Sequence, residues 1–107
     1  MKRSEIYWAR LDPVEGSELA KPRPCVIVSL DALNALLPTV VVCPLTSVLR
    51  PRWLTRLGIT CAGRKADICA DQIRTISKAH LGKRLGKLSK AEGSALRQLL
   101  AAMYGEG

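Results

Sequence analysis

The sequence predicts a mainly-β fold: a small barrel or strongly bent sheet of about five to seven short strands, closed by one C-terminal α-helix. Two observations predict it. Short β-branched runs such as CVIV and VVVC recur between turns marked by glycine, proline and aspartate. Only the last stretch of the chain sustains a long 3.6-residue period, and it does so behind a recognisable cap. At 107 residues the chain reads as a single domain over 1–107, large enough for a modest core. There is no phenylalanine, so that core must be built from Val, Ile, Leu, Ala and Cys.

In chain order, Ile6 to Leu11 reads as a strand stopped by Asp12-Pro13. The polar loop VEGSELAKPR follows. Hairpin loops usually run to five residues or fewer, and a longer one is more often functional than a plain connector. PCVIVS is the second strand. LDALNALLP forms about two helical turns before Pro38 stops it. TVVVCPL, residues 39–45, is a third strand buried on both faces. TSVLRPRWLTR is a second long, basic loop. GITCAG and ADICADQIRTI are two further strands joined through Gly63, SKAHL is a turn, and GKRLGKLS leads into the final helix. There Ser89 is the N-cap, Glu92 completes a capping box, Leu96, Leu99, Leu100 and Met103 form the apolar stripe, and Gly105 ends it.

Net charge is +8, and six cations with no acid lie between Arg74 and Lys90. Such a run suits a polyanionic partner, nucleic acid or an acidic protein segment, over a merely solvated face. The four cysteines, Cys25, Cys43, Cys61 and Cys69, sit in or beside apolar runs with no Cys-x-x-Cys pair, which reads as buried thiols rather than zinc ligands. The basic N-terminus is followed by no apolar stretch, so no signal peptide is expected. Asp31, Asn34 and Pro38 interrupt the longest apolar region, so no membrane span is expected either. A reducing cytoplasm fits these thiols.

If the partner is RNA and the protein cuts it, the residue inventory limits the route. His80 is the only histidine, which excludes a two-histidine acid–base pair, and it reads as a turn residue. The nine acids form no Asp-x-Asp or similar cluster, so neither a metal site nor a cofactor is expected. The remaining route uses the RNA's own 2′-hydroxyl. It needs a fixed cation for charge gathering on phosphate and groups that orient or move protons. Arg23 stands between Pro22 and Pro24 at the mouth of CVIV, so its backbone is stiffly held. A guanidinium placed so loses less entropy on clamping a phosphate. The plainer reading is a loop-to-strand junction with Arg23 facing water. A carboxylate such as Glu18 suits proton transfer, and a threonine at a strand end can hydrogen-bond phosphate or the 2′-oxygen.

EIYW (5–8), LDPVEGSE (11–18), RPCVIVS (23–29), CPLTS (43–47), DQIRTI (71–76) and LGKRLGKLS (81–89) occur in an order that resembles the MazF/PemK family of toxin–antitoxin endoribonucleases. Each motif alone is weak; six in order are specific, and the resemblance spans roughly residues 2–104. It implies an SH3-like barrel of the CcdB–MazF type, a homodimer, and metal-independent cutting of single-stranded RNA to a cyclic phosphate and a 5′-hydroxyl. It also implies an acidic antitoxin whose flexible tail occupies the RNA groove. By the same resemblance Arg23 and Thr46 are the catalytic pair, Glu18 belongs to the loop closing over the site, and Gln72, Arg74 and Thr75 are RNA contacts. Ser17, Lys21, Ser47, Arg50, Arg52 and Trp53 complete the predicted RNA-binding set. Trp53 either stacks on a base or anchors its loop to the barrel.

The chain departs from the family pattern at Ser4, where glycine is usual, at Ser77, where an acid is usual, and at Arg10, also usually acidic. Two other functions remain open. A gyrase-directed toxin of the CcdB kind would require a C-terminal tryptophan, and the last residues, AAMYGEG, hold none. A non-catalytic barrel would bind nucleic acid without cutting it.

Overall fold

The computed structural model describes residues 1–11 and 21–106. Seven strands and two helices follow in order: β1 (Glu5–Ala9), β2 (Arg23–Ile27), α1 (Asp31–Leu36), β3 (Thr39–Thr46), β4 (Arg56–Cys61), β5 (Arg64–Cys69), β6 (Arg74–Ser77), β7 (Leu81–Lys87) and α2 (Lys90–Tyr104). The strands form one antiparallel sheet in the order β4-β5-β3-β2-β1-β7, with β6 also on β3. The sheet curls into a half-barrel.

Alternation along the strands sorts side chains into two cores. Ile6, Val26, Cys43, Leu45, Ile59 and Ile68 pack under Leu96 of α2. Ala9, Cys25, Ile27, Val40, Val42 and Ile76 fill the other face with Leu11. The capping box of α2 is present: Ser89 Oγ accepts from Glu92 N–H at 3.0 Å, and Glu92 Oε1 accepts from Ser89 N–H at 2.9 Å. Gly105 ends the helix with φ −81°, not in the left-handed region expected of a glycine cap. Its reason is space, because a Cβ there would lie 2.5 Å from Ala101 O.

The β4–β5 hairpin turns on Ala62 (φ +50°) and Gly63 (φ +79°) between the paired residues Cys61 and Arg64, the two-residue geometry that matches strand twist. Ser4 also has positive φ, +77°. A left-handed residue thus stands just before β1, a backbone state that glycine adopts without strain. Helix α1 docks through a polar residue. Asn34 is 3% exposed; its Nδ2 donates to Ser29 O at 3.0 Å and its Oδ1 accepts from Ser29 Oγ, while Leu33, Leu36 and Leu37 stay exposed.

Two expectations are corrected. Residues 66–76 do not form one strand. β5 ends at Cys69, a 3-10 turn spans Ala70–Gln72, and β6 begins at Arg74. β3 pairs with β6 over Thr39–Val42 and with β5 over Leu45–Thr46. Pro44 lies at the changeover, where its missing N–H breaks no ladder. The segment expected only to lead into the last helix is instead β7, zipped to β1 with two register shifts that add curl.

Candidate active site

Arg23 opens β2 and is paired with Ala9 of β1. On its other side β2 runs antiparallel to β3 as Cys25↔Pro44, Val26↔Cys43 and Ile27↔Val42, each pair summing to 69. The ladder ends at Cys25↔Pro44; continued two residues further, the same register would set Arg23 opposite Thr46. Val28 N–H donates to Val41 O at 2.9 Å, so the hydrogen-bonded positions are 28/41 and 26/43. The 25/44 and 23/46 positions are then of the other kind, in which facing side chains approach more closely. Pro44 belongs to that kind too, so its nitrogen points away from β2.

Arg74 opens β6 opposite Val42, and Val42 is opposite Ile27. Arg74 therefore shares the sheet face of Cys25, Arg23 and Thr46. Thiol electrostatics agree. Burial pushes the Cys25 thiol up to about 12, and the Arg74 and Arg23 charges pull against it. Burial also raises Cys69, where the Arg56 and Arg23 charges oppose it. One guanidinium is thus felt at thiols on two strands, with Pro44 between them. Thr75 pairs with Val41 and projects to the opposite face from Arg74. Gln72 is exposed in the 3-10 turn.

Thr46 ends β3 opposite Asp67 of β5. Its Oγ1 accepts from Val48 N–H at 3.1 Å, which leaves the hydroxyl proton to donate elsewhere. The basic loop beyond it is organised by two residues that the sequence reading did not single out as a pair. Asp67, 4% exposed, accepts from Arg50 N–H at 2.7 Å and forms an ion pair with Arg56 Nη1 at 3.5 Å. Arg56 Nη1 also donates to Val48 O at 3.1 Å, and its guanidinium lies 4.9 Å from the Trp53 ring centre. Arg50 contacts the same ring at 5.5 Å. Trp53 is gripped by two cations yet remains 52% exposed, so anchoring and an open ring surface coexist. The signal was available: an aspartate inside ADIC, on a strand that must be buried, needs a cationic partner.

Ser47, Arg50 and Arg52 are exposed on this loop, and Lys21 is exposed just before β2. A cleft of about 440 Å³ between the loop and the β4–β5 hairpin is lined by Arg50, Arg56, Lys65, Asp67 and Glu92. Ser17 and Glu18 lie outside the described residues. The arrangement offers a guanidinium, a hydroxyl and a second guanidinium on one face, beside a basic loop with an exposed indole. It can hold a phosphodiester and stabilise charge developing on it.

Residues 2–104 match a family model described as PemK-like, MazF-like toxin of type II toxin–antitoxin system. Curated relatives include the Endoribonuclease MazF of Staphylococcus saprophyticus, 37% identical over 94 residues, covering 83% of this chain and 78% of the relative. Endoribonuclease MazF9 of Mycobacterium tuberculosis is 35% identical over 109 residues, covering 94% and 92%. Among solved structures, an endoribonuclease in complex with its cognate antitoxin from a mycobacterial species superposes with TM-score 0.83 at 27% identity, covering 100% of this chain and 97% of that one. MazF from Deinococcus radiodurans gives TM-score 0.82 at 19% identity, covering 99% and 97%, a likeness of fold.

Proposed function

Because this chain belongs to the PemK-like, MazF-like toxin family of type II toxin–antitoxin systems, we propose that it is a toxin that cuts single-stranded RNA as a metal-independent endoribonuclease. The observation that supports this reading is that Arg23 of β2, Thr46 of β3 and Arg74 of β6 lie on one face of the sheet. The 2′-hydroxyl attacks the adjacent phosphorus, the bond to the 5′-oxygen breaks, and the leaving oxygen takes a proton from water, so that a 2′,3′-cyclic phosphate and a 5′-hydroxyl result. The Arg23 guanidinium neutralises charge on the non-bridging oxygens as it builds. The Thr46 hydroxyl donates to the same phosphate, and Glu18 takes the proton from the 2′-hydroxyl. The exposed Trp53 ring stacks on a base beside the cut, and Arg50, Arg52 and Lys21 contact flanking phosphates.

The partners are a second copy of the chain and an acidic antitoxin, whose carboxylates would compete with RNA phosphates for the same cations, in the cytoplasm. The test is incubation of a long mixed-sequence RNA with purified protein in EDTA, beside Arg23→Ala and Thr46→Ala. Cleavage by the wild type, with rates about 10²–10³-fold lower in each variant, is expected. Full activity in both variants, or loss of wild-type cleavage in EDTA, would overturn the mechanism. RNA binding without any cut product would favour a non-catalytic barrel.

A further inference from the structure

A cavity of about 590 Å³ opens at the opposite end of the β1–β2 pair from Arg23. Ser4, on its wall, bonds through N–H to Ile27 O, the last residue of β2, at 2.8 Å. Arg23 is the first residue of that strand, about 13 Å away along it at a rise of about 3.3 Å per residue. Four cations from three segments line the cavity: Arg3 before β1, Lys87 of β7, and Lys90 and Arg97 of α2. Among the described residues, none of the four makes an ion pair. The one carboxylate in the lining, Asp31, accepts the Arg3 backbone N–H at 2.7 Å. Edge-strand protection accounts for Lys87 but not for the other three.

Two backbone features mark the wall of this cavity. Gly93 stands in the second turn of α2, where glycine costs about 1 kcal/mol relative to alanine. A Cβ on it would come within 3.2 Å of both Arg97 Nη1 and Ser4 Oγ. Ser4 itself is held at positive φ, a strained state for a residue with a side chain.

We propose that this cavity is a second phosphodiester site, which holds the RNA backbone a few nucleotides from the cut. The proposal rests on RNA being the substrate. The lining favours a nucleic-acid backbone over an acidic amphipathic peptide. Besides cations it offers the hydroxyls of Ser4 and Ser89, and its one large apolar residue, Leu88, is only 4% exposed. A peptide's apolar side chains would find nothing to cover, and no aromatic ring is present for stacking. Guanidinium and ammonium groups bound to phosphate fix the backbone and carry no sequence information.

The test compares two RNAs that share one cut site, a short one of about six nucleotides and a long one of about twenty. Lys87→Gln/Arg97→Gln should raise KM for the long RNA about tenfold while leaving kcat, and both constants for the short RNA, unchanged. With an uncleavable 2′-deoxy version of the long oligonucleotide, the slope of log K against log salt should fall by about 1.4, two contacts at about 0.7 each. A charge-matched control at exposed residues outside the lining, Lys2→Gln/Arg64→Gln, should keep the wild-type KM. Unchanged KM and salt slope on the long RNA, or equal losses on both lengths, would overturn the proposal. So would a polyglutamate peptide whose binding is lost in Lys87→Gln/Arg97→Gln while long-RNA binding is not, since the cavity would then be a protein-docking site. If the wild type cuts neither RNA, the catalytic reading fails, and the uncleavable oligonucleotide still decides the site.

Discussion

Removing the Asp67 carboxylate tests how the basic loop is held. Asp67→Ala deletes the partner of a guanidinium whose side chain is only 11% exposed, and the acceptor of the Arg50 N–H. Stranding one member of a buried ion pair costs about 3–5 kcal/mol, and the lost backbone hydrogen bond adds about 1. Against a total stability of about 5–15 kcal/mol, that is a large share. At about 4 °C per kcal/mol, a loss of about 4–6 kcal/mol should lower the melting temperature by roughly 16–24 °C.

The pair itself contributes much less than its breakage costs, because desolvating both charges offsets most of their attraction. Asp67→Leu/Arg56→Met should therefore recover most of the loss. Urea denaturation of the three proteins gives the numbers, and hydrogen exchange at the Arg50 amide reports on the loop. Asp67→Ala costing under about 1 kcal/mol, or a double variant no more stable than Asp67→Ala, would refute the assignment of Asp67 and Arg56 as the loop's anchor.

Other outcomes are open to direct measurement. Burial acts to raise the Glu5 and Glu92 carboxyls. It is outweighed at Glu5 by the Lys2 N–H, the Tyr7 hydroxyl and Arg84, and at Glu92 by the Ser89 and Thr60 N–H groups, so both sit below the usual 4.5. Depressed folded-state values stabilise above the unfolded value, so urea midpoints should hold steady above about pH 5 and fall as pH drops through 4.5; Glu5→Gln/Glu92→Gln should flatten that fall, and an unchanged slope would count against it. Ala62→Asn should raise stability by about 0.5–1 kcal/mol and Gly63→Ala lower it by about 1, because both positions need positive φ; equal urea midpoints would contradict the turn. Burial pushes the Cys25 and Cys43 thiols up to about 12, so at pH 8 only about one in 10⁴ of each is thiolate. A thiol reagent should titrate the partly exposed Cys61 first and reach Cys25 and Cys43 only on unfolding.

Local signals in the sequence were sufficient wherever local physics decides the structure. The Ser89/Glu92 box, the turn at Gly63 and the β-branched run from Thr39 each specify their own backbone. β7 was not legible, because LGKRLGK carries two glycines, three cations and no β-branched residue. It is a strand only because β1 offers it an edge, a tertiary effect that overrides propensity. Arg23 stood out through its flanking prolines, but the Asp67–Arg56 pair did not. Those residues lie eleven apart, and their hairpin register, Gly58↔Asp67 and Arg56↔Cys69, has to be known before their side chains can be brought together.

Pro44 links these observations into one geometric argument. β3 needs two different neighbours on one edge, β6 for its first half and β5 for its last two residues. A single straight partner would carry β5 past Thr46 and leave Arg74 far along the strand. The changeover requires a residue that asks for no hydrogen bond on that side, and a proline whose nitrogen points away from β2 meets the requirement. Because β5 ends and β6 begins around that point, Arg74 at the start of one and Asp67 near the end of the other flank the same stretch of β3. Thr46 lies two residues beyond Pro44, and Arg23 lies two residues before Cys25, the ladder partner of Pro44. A substitution that restores the N–H, such as Pro44→Val, leaves a buried donor unpaired at the changeover, at a cost of about 1–3 kcal/mol. It should also loosen the spacing of Arg74 against Arg23, so that kcat falls more than stability alone explains; a Pro44→Val protein with normal kcat would show that the changeover does not set the site.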